Sequence, residues 1–203
     1  MKIAIFGAAG KTGQQLVQQA LERGHLVTAF VRHPLEIKHD NLKQIEGDAL
    51  NGADVEKAVV GQDAIVSALG FARRSSRNVC EVGVKNMISA MNKHGVKRLI
   101  VESAYGVFQH RFAGFYPMFT WLVVFTRMLD KEKMETVVKQ SNLDWVIVRP
   151  VSLTNGGKRG KYHIGINWTM IFWPIISRAD VADFMLKQLD SREFLGKTPI
   201  ITY

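Results

Sequence analysis

Gly7, Gly10 and Gly13 stand at three-residue spacing where an apolar run, Ile3-Ala4-Ile5-Phe6, gives way to a helical pattern. Binding a dinucleotide demands this arrangement at a strand-to-helix junction. One glycine lets the backbone leave the strand sharply, the next lets it approach a pyrophosphate, and the third lets the helix pack on the strand. The first N–H groups of the new helix, with the helix dipole behind them, face the anion. Ala9, Lys11 and Thr12 lie in the same turn and belong to the same candidate site. A glycine triplet alone often marks only a turn. Its place after a strand and before a helix is what singles this one out.

The next apolar strand, Leu26 to Val31, is followed by Arg32-His33-Pro34. An NAD-specific site places an Asp or Glu about 20 residues beyond the glycines to accept from the ribose 2′-OH. No carboxylate stands there, and Glu36 comes only after the proline. Arg32 instead offers a planar, permanently charged fork suited to a 2′-phosphate, and Lys11 adds a second positive charge. The spacing therefore points to NADP(H) in preference to NAD(H), against the plainer reading of Arg32 as a solvated loop residue.

Other residues with chemical potential are less telling. The six histidines, at 25, 33, 39, 94, 110 and 163, show no metal-ligand spacing. Cys80 falls in a helical pattern and reads as a small packed residue. As the single cysteine it excludes an internal disulfide framework and is consistent with a reducing compartment. Met1-Lys2 runs directly into the first strand, so no targeting peptide is expected and a cytoplasmic location follows.

The elements that must position these residues follow a strand–helix alternation. Strands are expected at 2–6, 26–31, 42–46, 63–67, 98–102 and 144–149, and helices at 12–23, 53–60, 77–94, 120–141 and 178–189. Several strands are nearly continuous apolar runs, as in a parallel sheet covered on both faces. The pattern predicts a doubly wound α/β sheet of Rossmann type, with helices on both faces. At 203 residues, 47% hydrophobic and 22% charged, the chain suits a single domain over 1–203, its C-terminal third forming the substrate side. The glycine-rich stretch 155–160 reads as a loop, and Ser177 as the cap of the last helix. A net charge of +9 raises the question of nucleic acid, but the basic residues are scattered and no nucleic-acid motif appears. An anionic cofactor explains the charge as well, and no nucleic-acid partner is expected.

Gly7 to Gly13, Arg32, Gly47-Asp48, Ser67 to Gly70, Ser103 to Gly106, Leu143 to Pro150 and Ser177 to Ala182 together resemble the atypical short-chain dehydrogenases/reductases. More narrowly, the chain is similar to the NmrA-like and biliverdin-IX-beta/flavin-reductase-like NAD(P)H-binding proteins over nearly its whole length. The resemblance implies that Asp48 and Ala49 meet the adenine, although Asp48 also suits a turn after Gly47. It implies that Ala68, Leu69 and Gly70 run beside the ribose and pyrophosphate. Ser103 takes the place of the active-site serine beside the nicotinamide, and Pro150 and Val151 pack on that ring. All stand at carboxyl ends of expected strands, where open α/β sheets bind ligands.

One departure matters. The well-studied members use a Tyr-x-x-x-Lys pair, whereas four residues beyond Tyr105, Tyr116 and Tyr162 stand Gln109, Thr120 and Ile166. The usual tyrosine mechanism therefore does not carry over. Ser103 and Lys131 remain as catalytic candidates, Lys131 falling where related reductases place a pocket lysine or histidine. The surrounding Asp130-Lys131-Glu132-Lys133 also reads as a solvated helix face.

The aromatic, apolar segment 112–129 is too short to span a membrane. It reads as a lid over a hydrophobic pocket, a buried helix or an oligomer contact, with Trp168, Phe172 and Trp173 as further wall or as ordinary core. Two functions stay open. One is an NADPH-dependent reductase passing hydride to a small hydrophobic or aromatic acceptor such as a flavin, quinone or related carbonyl. The other is a non-catalytic NADP(H) sensor of the NmrA type. Either a monomer or a homodimer is compatible.

Overall fold

The computed structural model describes residues 1–70, 78–108, 118, 125–166, 168 and 174–203. Strand β1 (Lys2–Phe6) is buried from Ile3 to Phe6. Apolar on both faces, it can only lie inside a sheet. It pairs in parallel with β2 (Leu26–Val31) on one side and β4 (Ala64–Ser67) on the other. Further parallel strands extend both flanks: β3 (Leu42–Glu46) beside β2, β5 (Arg98–Glu102) beside β4, and β6 (Asp144–Pro150) beside β5.

Two short strands finish the sheet. β10 (Ile200–Thr202) lies parallel to β6, and β8 (His163–Gly165) closes the edge in the antiparallel sense. A separate parallel pair, β7 (Ser152–Thr154) and β9 (Ile175–Ser177), sits after β6. The main sheet runs β3-β2-β1-β4-β5-β6-β10-β8. Its order reverses between β1 and β4, the topological switch point at which such sheets bind ligands.

Parallel neighbours require crossovers; residues 32–41 join β2 to β3 without a helix, and helices on both faces supply the other crossovers of the central strands. On one face α1 (Lys11–Glu22) and α5 (Arg178–Lys187) bring Leu16, Val17, Val181 and Met185 against Ile3, Ile5 and Ala29. Gln19 of α1 donates to the Ala179 carbonyl at 2.8 Å, and Arg23 pairs with Asp183 at 2.7 Å, which ties the two helices together. On the other face α2 (Gly52–Val59), α3 (Val79–His94) and α4 (Phe125–Lys139) bring Val55, Met87, Met91 and Met134 against Phe6, Ile65 and Leu99.

The six expected strands and five expected helices are found, with ends moved by a few residues. Helix α4 is described from Phe125; residues 119–124, in the expected 120–141, lie outside the described residues. Stretch 155–160 is a loop, and the Ser177 side chain accepts from the Asp180 N–H as the cap of α5. Strands β7 to β10 were not expected. Among the described residues no helix is long and apolar enough to cross a membrane.

Candidate functional site

The carboxyl ends of the central strands border a cleft of about 950 Å³, at the upper end of the range for ligand pockets. Its floor is the glycine turn. Gly7 has a φ of +75°, and a Cβ there would lie 2.5 Å from the Ala68 carbonyl oxygen, so only glycine lets β1 and β4 end this close together. A Cβ on Gly13 would lie 2.0 Å from the Gly7 carbonyl oxygen, so α1 packs directly on the turn. Gly10 differs. Its N–H donates to the Gly7 carbonyl at 2.9 Å, and a Cβ there would meet only that oxygen, at 3.1 Å.

Helix α1 begins without a side-chain cap and without an acid in its first turn. Its first N–H groups are therefore left for an external anion. Lys11 and Arg32 stand exposed at the rim. These features fit a pyrophosphate at the helix end and a further phosphate beside Arg32. Asp48 borders the cleft while its Oδ1 accepts from the Leu50 N–H at 3.0 Å, so it makes its local turn as well. Every residue expected to hold the cofactor borders this cleft except Gly13, which lies beneath the turn.

The end of β5 carries the densest chemistry. Ser103 is buried and donates its hydroxyl proton to Glu135 Oε1 at 2.6 Å. Glu135 is itself fully buried and accepts from Arg149 through Nε at 2.9 Å and Nη2 at 2.6 Å, and from Lys139 at 2.9 Å. Burial alone would raise the Glu135 carboxyl, but Arg149, Ser103 and Lys139 outweigh it and hold it below its ordinary range. Lys131 donates to the Leu69 carbonyl at 2.8 Å and to the Glu102 carbonyl at 2.5 Å, bridging the ends of β4 and β5.

The run at 130–132 is therefore not a solvated face. Asp130 is buried and accepts from the Cys80 and Glu81 N–H groups, both at 2.9 Å, capping α3 from a distant helix. Glu132 is also buried and accepts from the Phe108 N–H at 2.8 Å, holding a residue with φ of +49°. Burial pushes the Cys80 thiol up to about 12, against a smaller opposing pull from Lys131, which leaves it inert packing.

Sequence reasoning passed over Glu102 and Glu135, set Asp130 on a solvated face, and used Arg178 only within the late-helix resemblance. Glu102, an acid at the end of the apolar run Leu99-Ile100-Val101, carried a usable signal; the rest pair across long sequence separations and left none. Tyr105 was weighed only for a missing lysine partner. It is buried, borders the cleft, and its hydroxyl donates to the Trp168 carbonyl at 3.2 Å. Of the aromatic segment, Met118 and Phe125 to Leu129 are described, and Arg127 and Met128 border the cleft. Residues 112–117 and 119–124 of it, with Phe172 and Trp173, lie outside the described residues. Trp168 is partly exposed and stacks edge-on against His163 instead of bordering the cleft. Among the described residues no cluster of potential metal ligands exists.

A family model described as NAD(P)H-binding matches residues 7–192. An uncharacterised chloroplast protein of Arabidopsis thaliana is 29% identical over 172 residues, which is 78% of this chain and 61% of that protein's length. A short-chain dehydrogenase/reductase of Veillonella parvula, solved in complex with NADP, superimposes with a TM-score of 0.83 at 21% identity, covering all of this chain and 94% of that one. An anaerobilin reductase of Escherichia coli O157:H7 gives a TM-score of 0.82 at 22% identity, covering 99% and 96%. At these identities the two structures establish a shared fold.

Proposed function

The chain belongs to the NAD(P)H-binding family, and from that premise we propose that its cleft binds NADP(H) in preference to NAD(H) and serves hydride transfer to a hydrophobic, conjugated acceptor. The carrying observation is Arg32, an exposed guanidinium at the rim of the cleft with no carboxylate partner among the described residues. The one domain supplies both halves of such a site, its C-terminal third forming the acceptor side. An NADP-bound protein and a reductase among its structural neighbours agree with this reading. A single cysteine, which cannot form an internal disulfide, suits a cytoplasmic setting.

The bound cofactor supplies the hydride. The chain's own residues supply place and charge. The N-terminus of α1 holds the pyrophosphate, Arg32 and Lys11 hold the 2′-phosphate, and Asp48 and Ala49 border the adenine. Pro150, Val151 and Leu153 give the far end of the cleft an apolar wall that excludes water from the acceptor. Ser103 turns its lone pairs to the cleft because its proton points to Glu135. Lys131 puts a positive charge at the ends of β4 and β5, where an acceptor gaining electrons is stabilised. A flavin or quinone that has accepted hydride can leave as the anion and take its proton from solvent outside the cleft, so no dedicated tyrosine acid is needed.

NADPH should bind at least about tenfold more tightly than NADH, since a charge-assisted pair at Arg32 contributes on the order of 1.4 kcal/mol. Calorimetry on the starting protein and on Arg32→Ala checks this; equal affinities in the starting protein would remove the NADP(H) assignment. NADPH oxidation across a panel of flavins, quinones and conjugated carbonyls tests the reaction. Tight binding with no turnover on any of them would point to the non-catalytic sensor.

A further inference from the structure

Glu102 ends β5 as an acid on an apolar strand, and the hydride-transfer reading makes no use of its carboxyl. It is 7% exposed and borders the cleft, and its Oε1 lies 3.3 Å from Thr12 Oγ1 in the first turn of α1. Two cations face it. Lys131 of α4 is already engaged with the Leu69 carbonyl and with the carbonyl of Glu102 itself. Arg178 of α5 donates through Nη1 to Asn155 Oδ1 at 2.7 Å.

Among the described residues no other charged group acts on it. Helix α1 contributes Thr12, β4 ends in Ser67, Ala68 and Leu69, and β6 ends in Pro150 and Val151. Neither Lys131 nor Arg178 closes an ion pair with the carboxylate. Burial accordingly holds the Glu102 carboxyl above its ordinary range, only partly offset by Lys131, Thr12 and Arg178.

The N-terminus of α1 is where the proposed cofactor reading puts a doubly negative pyrophosphate, and the inference rests on that reading. Two phosphate charges beside Thr12 repel a carboxylate hydrogen-bonded to the same threonine, whereas a neutral acid is tolerated and can donate. We propose that Glu102 is a proton-linked part of the cofactor site: the dinucleotide binds the form in which Glu102 is neutral, and takes up a proton when it meets the ionised form.

The sign follows from linkage. Affinity is greatest below the range in which Glu102 ionises and falls as pH rises through it. One linked proton limits the change to about tenfold in Kd per pH unit. No histidine borders the cleft among the described residues, so none competes for this role.

Calorimetry with NADH on the full chain, between about pH 5.5 and 9, tests it in buffers of contrasting ionisation enthalpy. NADH is chosen because it lacks a 2′-phosphate, a group that titrates near pH 6 on its own account. The expected result is uptake of up to one proton, with Kd rising with pH. Glu102→Gln should show no uptake, a flat profile, and tighter binding than the starting protein at high pH. Matching pH profiles in the two proteins, or no proton uptake by the starting protein, would overturn the proposal. If circular dichroism shows that Glu102→Gln does not fold, the starting protein's proton count decides alone. Absence of binding by both NADH and NADPH at every pH fails differently, because it removes the cofactor reading itself.

Discussion

Ser103 has one proton, and at 2.6 Å Glu135 holds it. Toward the cleft it can only accept, from a carboxamide N–H or a protonated acceptor, so it orients and does not act as an acid. Ser103→Ala should lower turnover about ten- to hundredfold with NADPH affinity within a few-fold, which steady-state kinetics and calorimetry separate. Glu135 has a different weight. Its neutral replacement removes the carboxylate that Arg149 binds at 2.6 Å inside the protein, so Glu135→Gln should cost about 3–5 kcal/mol in urea unfolding. The two buried acids also respond to pH in opposite senses. Glu135, held low, contributes stability above the ordinary carboxylate range that is lost as pH falls through its lowered value. Glu102, held high, contributes below that range and loses its contribution as pH rises through its raised value. The melting temperature of Glu102→Gln relative to the starting protein should therefore rise as pH climbs above the ordinary carboxylate range and level off once Glu102 is ionised. A constant difference above that range would show that Glu102 does not titrate there.

At the scale of elements, the glycine turn separates binding from folding. Gly10→Val places its side chain on the open side of the turn and should abolish binding of both dinucleotides with the far-ultraviolet spectrum unchanged. Gly13→Ala drives a methyl to within 2.0 Å of the Gly7 carbonyl and should lower the melting temperature outright. If both variants fold and bind normally, the turn is not the site. This turn was readable from sequence because a buried parallel strand, three glycines and a helix fall within about a dozen consecutive residues. The long strands were readable for the same reason, as both faces of each are covered. Strands β7 to β10 have three residues apiece and are too short to show a period, so only pairing with β6, β10 and each other defines them. The buried acids escaped because charge next to charge reads locally as solvent. What buries Asp130 is the N-terminus of α3, and Asn78, the formal cap there, makes no side-chain cap bond. Asp130→Ala should cost about 1–2 kcal/mol through that lost remote cap.

Across the whole molecule, both layers of helices brace the sheet and border the cleft, one through Lys11, Thr12 and Arg178, the other through Lys131. Helices α1 and α5 are tied to each other mainly by Gln19, Arg23 and Asp183. Helix α4 reaches further. Its residues 130, 131, 132 and 135 hold four separate places: the start of α3, the ends of β4 and β5, the Phe108 backbone, and Ser103 with Arg149. Lys131→Met should thus weaken NADPH binding as well as slow turnover, because it unties the strand ends that the dinucleotide crosses. An unchanged Kd would restrict Lys131 to charge alone. The wiring also governs how the molecule breathes. A helix latched at four points cannot release one without straining the others, so the walls of the cleft open together or stay shut. In native-state hydrogen exchange the amides of Cys80, Glu81 and Phe108, distant in sequence, should report one shared opening free energy, and Asp130→Ala should lower it for all three at once.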